Sequence, residues 1–252
     1  MSLLKVLVVW LGLSAVALAA EPTDIHRELT MITSSSIPPY VMAEENRGIV
    51  VDLIREALAF SGYRVRFIYS TNKRLEAELL SRRVDGAYNF PAGEWPGLYT
   101  SESIIDYQNV VVTLASRNLR IEGVDDLAGL RVAAFQNSAL FLGEAYGAMS
   151  AANPFHEELS NQKSQVYMLY RGYTDAIVLD ARIFQHYFQV LERELFLEPN
   201  HRFHNLFPPA SRHALFVDKD IRDRFDAGLR QLRSMNRYDA IVQRYIHPDE
   251  AP

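Results

Sequence analysis

The sequence predicts an α/β protein built as two similar lobes, each a mainly parallel sheet flanked by helices. Three observations predict it. Leu79–Tyr88 runs from an apolar helix end through a basic turn to an Asp that opens a strand, and Leu169–Val178 repeats the run with the same step from Leu to Asp. The first half of the chain alternates strand and helix signals, an order that favours a parallel sheet with helices packed on it. The second half then restarts the pattern. Two lobes imply a cleft, and clefts between domains are where small ligands bind.

In order along the chain, Leu29–Thr33 is a β-type run stopped by Pro38-Pro39-Tyr40. Val50, Leu53, Ile54, Ala57 and Leu58 follow helical spacing after Gly48, and Gly62 suits the helix stop. Val65–Tyr69 alternates as a strand, a helix covers about Lys73–Leu80, and Asp85–Phe90 is the next strand. The loop 91–97 holds two prolines and two glycines, marks of irregular backbone. Asn109–Ala115 is apolar without period and suits a segment crossing between lobes. Val124–Leu130 reads as a short helix, Arg131–Phe135 as a strand, and Ser138–Met149 as one helix capped by Asn137 or Ser138. Helices near Ser164–Tyr170 and Ala181–Leu191 flank the strand Asp175–Leu179. Residues 192–212 are polar and read as a loop, followed by the strand His213–Val217 and two amphipathic helices.

The bulk properties bound the function. Lys5 precedes the apolar run Leu7–Leu18, and Ala17-Leu18-Ala19 offers small residues for cleavage, so residues 1–19 read as a secretory signal peptide. The run is shorter than the ~20 residues that span a bilayer. The chain of 252 residues has a net charge of −5, and losing Lys5 with the leader makes it −6. With no basic tract, nucleic acid is not an expected partner. There is no cysteine, so neither disulfides nor a lipid-anchored Cys is expected, and the bacterial periplasm is the simplest compartment. The seven His residues are scattered and no metal site or cofactor is expected; His201 and His204 lack an evident third ligand. No Gly-x-Ser-x-Gly turn marks a nucleophile.

The ordered set Pro38-Pro39-Tyr40, Gly48 with Val51-Asp52-Leu53-Ile54, Gly62-Tyr63, Asp85-Gly86-Ala87, Leu127–Ala133, Asp175–Asp180 and the tail from Asp220 to Tyr245 resembles periplasmic solute-binding proteins of family 3, the substrate-binding type of amino-acid ABC importers. The resemblance covers roughly residues 27–247. It implies two α/β lobes joined by two crossing segments and closing on ligand like a hinged trap. The implied division is lobe 1 over 20–112, lobe 2 over 113–210, and a return segment with C-terminal helices over 211–252 packing mainly on lobe 1. It also implies a monomer that works with an inner-membrane ABC permease.

The same resemblance suggests the site. An aromatic near the Pro-Pro motif corresponds to Tyr40. An Asp after a lobe-2 strand, which takes an amino acid's ammonium, corresponds to Asp180; that residue also suits the N-cap of the following helix. The family's carboxylate-binding Arg is missing, because the segment Phe90–Trp95 holds Glu94 or Trp95 in its place. Asn89, Phe90, Glu94 and Trp95 with Tyr40 and Asp180 therefore favour an amine-containing or amino-acid-like solute. Gln136, Asn137 and Ser138 are the expected lobe-2 contacts. Arg182 reads as a surface residue.

The expected function is delivery of a small polar solute to an importer, with binding as the only chemistry. Two alternatives stand beside it. One is an enzyme similar to cyclohexadienyl dehydratases, for which Glu94 and Asp180 would be the acid–base pair. The other is a sensor that reports ligand to a membrane partner.

Overall fold

The structure, a computed structural model, describes residues 27–34 and 36–246. The leader expected over residues 1–19 lies outside the described residues. β1 (Arg27–Ser34) is the centre of the first lobe. It pairs in parallel with β4 (Tyr63–Ser70) on one side and β5 (Gly86–Phe90) on the other. The short strands β2 (Ser36–Ile37) and β3 (Val41–Met42) form a separate antiparallel pair around the Pro38-Pro39 turn. α1 (Ile49–Ala59) buries Val50, Leu53, Ile54, Ala57 and Leu58, the stripe expected from its period. α2 (Asn72–Leu80) precedes β5, and β6 (Tyr99–Thr100) and β7 (Ile105–Tyr107) follow it.

The chain then crosses to a second sheet. β8 (Asn109–Leu114), read as a crossing segment, is a full member of that sheet. The crossing itself is Gln108, the one residue between β7 and β8. β9 (Val132–Phe135) is flanked in parallel by β10 (His156–Leu159) and β11 (Ala176–Asp180). β8 and β12 (His201–His204) extend the sheet in the antiparallel sense. β11 is buried along its whole length, as an apolar strand covered on both faces must be. α5 (Gln162–Tyr170) and α6 (Ala181–Leu195) cover the sheet through Val166, Leu169, Phe184 and Phe188. The helix expected over 138–149 is two helices, α3 (Ser138–Phe141) and α4 (Glu144–Ala152), broken at Gly143 with φ +93°.

β13 (Ala210–Phe216) returns to the first sheet, antiparallel to β5, β6 and β7. It begins three residues earlier than the sequence suggested, and those residues pair with β7 at the crossing. α7 (Lys219–Ser234) and α8 (Arg237–Ile246) close the chain. At Gly228 of α7 an added Cβ would run into the Ala57 carbonyl of α1, so the two helices touch backbone to backbone.

Both sheets thus share one plan: three parallel strands with the earliest of the three central, extended on one side by strands paired in the antiparallel sense. The repeated Leu-to-Asp motif has the same job in each. The Thr30 N–H donates to Asp85 Oδ2 at 2.7 Å while the Asp85 N–H donates to the Thr30 carbonyl at 2.8 Å. In the second lobe the Arg131 N–H donates to Asp175 Oδ2 at 3.0 Å while the Asp175 N–H donates to the Arg131 carbonyl at 2.8 Å. Each Asp ties the start of the third strand to the central one.

Candidate functional site

Between the lobes lies a cavity of about 440 Å³, within the ~300–1,000 Å³ of small-molecule sites. The first lobe contributes Asn89 and Phe90 from the end of β5, Tyr107 from β7 and Arg212 from β13. The second contributes Gln136 and Asn137 after β9, Leu159 at the end of β10, Asp180 at the end of β11 and Ile183 at the start of α6. The parallel strands therefore aim their C-terminal ends at the cavity, where such sheets present ligand sites.

Asn89 reaches the cavity because β5 is bulged. Ala214 of β13 faces Tyr88 and His213 faces Phe90, which leaves Asn89 as the extra residue, at φ +93°. A bulge of this kind re-aims a side chain, and the Asn89 amide donates to Ser34 Oγ at 3.2 Å.

Tyr40 does not line the cavity. It is fully buried behind Tyr107, the ring centroids 4.4 Å apart. Its hydroxyl donates to Asp180 Oδ1 at 2.9 Å and accepts from Arg182 at 3.3 Å. Burial pushes the Tyr40 phenol well up, and the Asp180 charge adds to that. The phenol is accordingly a neutral donor.

Asp180 touches the cavity, but its oxygens are already occupied. Oδ1 accepts from Tyr40 and from the N–H groups of Arg182 and Ile183, and Oδ2 accepts from the Gln108 N–H at 2.8 Å. It is the N-cap of α6 and at the same time a pin on the crossing at Gln108. Burial pushes its carboxyl up, opposed by these hydrogen bonds and by the Arg182 charge. Arg182, read as a surface residue, is half-buried and also donates to the Asp106 carbonyl. The Tyr40–Asp180–Arg182 cluster joins the two lobes beside the β7–β8 crossing.

In lobe 2, Ser138 is fully buried and outside the cavity lining. Its hydroxyl donates to Glu158 Oε1 at 2.8 Å, and the N–H groups of Asn137 and Ala139 donate to the same carboxylate at 2.7 and 2.9 Å. Burial works to raise the Glu158 carboxyl, yet these hydrogen bonds hold it below its ordinary range. The main-chain donors at the start of α3 are thus taken by a side chain of β10. Gln136 and Asn137 remain on the cavity wall.

Glu94 and Trp95 lie elsewhere. Both border a separate shallow depression with Tyr99 and Arg222, and Glu94 is exposed. The Trp95 ring meets Phe90 edge-on at 5.1 Å, so it touches the cavity only through Phe90. The acid–base pair Glu94–Asp180 is not assembled.

Sequence reasoning missed Arg212, Tyr107 and Glu158. Arg212 lay in a stretch read as loop, and its place is set by pairing with β7, a hundred residues away. Its guanidinium lies over the Tyr107 ring, 5.0 Å from the centroid. Among the described residues no metal-holding group of His, Asp or Glu occurs and no helix is long and apolar enough to cross a membrane.

No family sequence model matches the chain, and no curated protein matches it by sequence. Solved structures do. A mutant of ArgBP from T. maritima aligns at 20% identity with a TM-score of 0.64, covering 86% of this chain and 94% of that one. The GluR0 ligand-binding core from Nostoc punctiforme, in complex with (L)-glutamate, aligns at 19% identity and TM-score 0.66, covering 89% and 100%. A histidine kinase sensor domain with similarity to periplasmic binding proteins aligns at 19% and TM-score 0.68, covering 89% and 98%. This is the two-lobe periplasmic binding-protein fold. The neighbours are consistent with the family 3 resemblance of the motifs. In this fold the cavity described above is the cleft between the lobes, and the paired strands β7 and β13 with the Asp180 cluster lie where the chain crosses between them.

Proposed function

We propose that the protein is an exported solute-binding protein that takes a small polar solute into the inter-lobe cleft and delivers it to an ABC importer. The observation that carries this reading is a single cavity walled by both lobes, beside a hinge pinned by Tyr40, Asp180 and Arg182. Rotation about that hinge would bring Phe90 and Asn89 towards Gln136 and Asn137, desolvating a solute between them. Two neighbours support the class: one is the substrate-binding protein of an amino acid ABC transporter and another is such a protein from Streptococcus pneumoniae bound to L-arginine. An enzymatic role has less support, since the cleft holds Asp180 as its only carboxylate among the described residues and that group is consumed by structural hydrogen bonds.

The sensor domain among the neighbours supports a second use of the same binding step, in which a membrane partner reads the closed state. Thermal melting against a broad solute library tests binding, with the hit expected to raise the melting temperature. Capture from solubilised membranes with and without the hit then names the partner. An importer permease supports the proposal; a sensor kinase supports the second use; no shift with any solute contradicts both.

A further inference from the structure

Resting on the solute-binding reading, we infer that the cleft is built for a small carboxylate with an apolar or aromatic body, held by Arg212, and not for an amine. Arg212 and Asp180 are the charged groups of the cavity wall among the described residues. Their situations are opposite. Asp180 spends both oxygens on Tyr40, Gln108 and the start of α6, and Arg182 stands beside it as a counter-charge. A carboxylate has about four acceptor positions; Oδ1 is crowded by three donors and Oδ2 already accepts from Gln108, so one position on Oδ2 at most is left for a ligand ammonium.

Arg212 has no ion pair among the described residues. The register explains why. Arg212 faces Ile105 across the β7–β13 ladder, and Ser211 faces Asp106. Alternation along the strands therefore puts the nearby Asp106 carboxyl on the opposite face from Arg212 and Tyr107. The guanidinium carbon sits 5.0 Å from the centre of the Tyr107 ring. With no side-chain hydrogen bond of its own among the described residues, the guanidinium keeps its N–H groups for two parallel hydrogen bonds to a carboxylate. An open cleft lets water solvate the charge. Closure removes that water, and a desolvated cation without a partner is costly; an anion entering with the solute supplies the partner.

The other place where an anion would fit is closed to it. The N–H groups of Asn137 and Ala139 and the Ser138 hydroxyl already hold the Glu158 carboxylate. The remaining wall is mixed, apolar at residues such as Phe90, Phe141 and Leu159 and polar at amide side chains such as Asn89, Asn109 and Gln136. That suits a hydrocarbon or aromatic body carrying a polar substituent.

The test uses matched probes: phenylacetate, L-phenylalanine, phenethylammonium and phenylacetamide, with the four-carbon set butyrate, 4-aminobutyrate and butylammonium, inside a broad solute library. Melting shifts and calorimetric affinities are measured for the full mature chain, for Arg212→Met and for Arg212→Lys. Carboxylates without an ammonium group are expected among the hits. Their affinity should fall at least tenfold in Arg212→Met and less in Arg212→Lys, which keeps the charge but not the bidentate edge. Should Arg212→Met not fold, a Lys variant that folds by circular dichroism yet binds carboxylates as tightly as the wild type overturns the inference. Hits confined to amines, zwitterions or neutral solutes overturn it, as does an affinity unchanged in both variants. A wild-type protein that responds to nothing in the library overturns the solute-binding reading itself.

Discussion

Asp175 shows what a single carboxylate does in this molecule. Arg131 grips it through Nε and a terminal guanidinium nitrogen, Arg117 adds a further hydrogen bond, and the Arg131 N–H adds another. Side-chain hydrogen bonds from Arg131 outweigh burial and hold its pKa at about 2, below the ordinary 3.8. The folded value is depressed, so this stabilisation is fully present above pH 3.8 and is lost as pH falls towards 2. Replacing Asp175 by Asn should cost about 1–2 kcal/mol at neutral pH, since both arginines are partly exposed. In denaturant titrations the gap to wild type should close near pH 2; a gap constant from pH 7 to pH 2 would show that the charge is irrelevant. Tyr40 makes a complementary case. Tyr40→Phe removes the donor to Asp180 but no cleft contact. It should lower stability by about 1–2 kcal/mol while changing solute affinity less than threefold by calorimetry. Tyr40 and Asp180 were legible in the sequence because a Pro-Pro turn and a strand end mark their positions. What they do there was not legible, because Tyr40 and Asp180 meet across 140 residues. Arg212 and Glu158 carried no local mark at all: each is a charged residue in a polar stretch, and only long-range pairing decides that one faces the cleft and the other fills a turn.

At the scale of elements, the amphipathic helices and buried strands followed from periodicity. α1 and α7 bury the stripes their spacing dictates, and β11 is apolar from Ala176 to Leu179 because it is covered on both faces. β10 and β12 were missed for the converse reason. They are the two outer strands of their sheet, and the segments His156–Leu159 and His201–His204 have no fully buried residue to give an alternating signal. The break between α3 and α4 turns on Gly143, whose φ of +93° a side chain adopts poorly. The α1–α7 contact gives a direct test. Gly228→Ala places a methyl against the Ala57 carbonyl and should force the helices apart. The expected cost is about 2–3 kcal/mol, typical of overpacking, or roughly 5–10 °C in melting temperature for a domain of this size. An unchanged melting curve would mean that the helices are not in backbone contact.

For the molecule as a whole, the repeat in the sequence proved to be a repeat of construction. Asp85 and Asp175 make the same ring of hydrogen bonds at the base of each sheet, and the cleft forms at the opposite strand ends. The two-lobe fold was therefore legible in outline, while the cleft wall and the filled turn beside it depend on residues from β10 and β13 that only tertiary pairing brings in. Global stability should also respond to mild acid. Burial lowers the pKa of His156, His186, His201 and His204 below the ordinary 6.5. The folded chain thus binds fewer protons than the unfolded one, and stability should fall as pH drops below about 6.5. The melting temperature should decline between pH 7.5 and 5.5; a rise over that interval would contradict the burial of these rings.

The central claim is that the two lobes close on a solute in the cleft. Small-angle scattering of the mature chain, recorded while a binding solute is titrated to saturation, tests it most directly. The account predicts that the radius of gyration falls in step with occupancy and that Arg212→Met shifts the transition to at least tenfold higher concentrations of a carboxylate. A solute that saturates the protein by calorimetry yet leaves the scattering curve unchanged would contradict it.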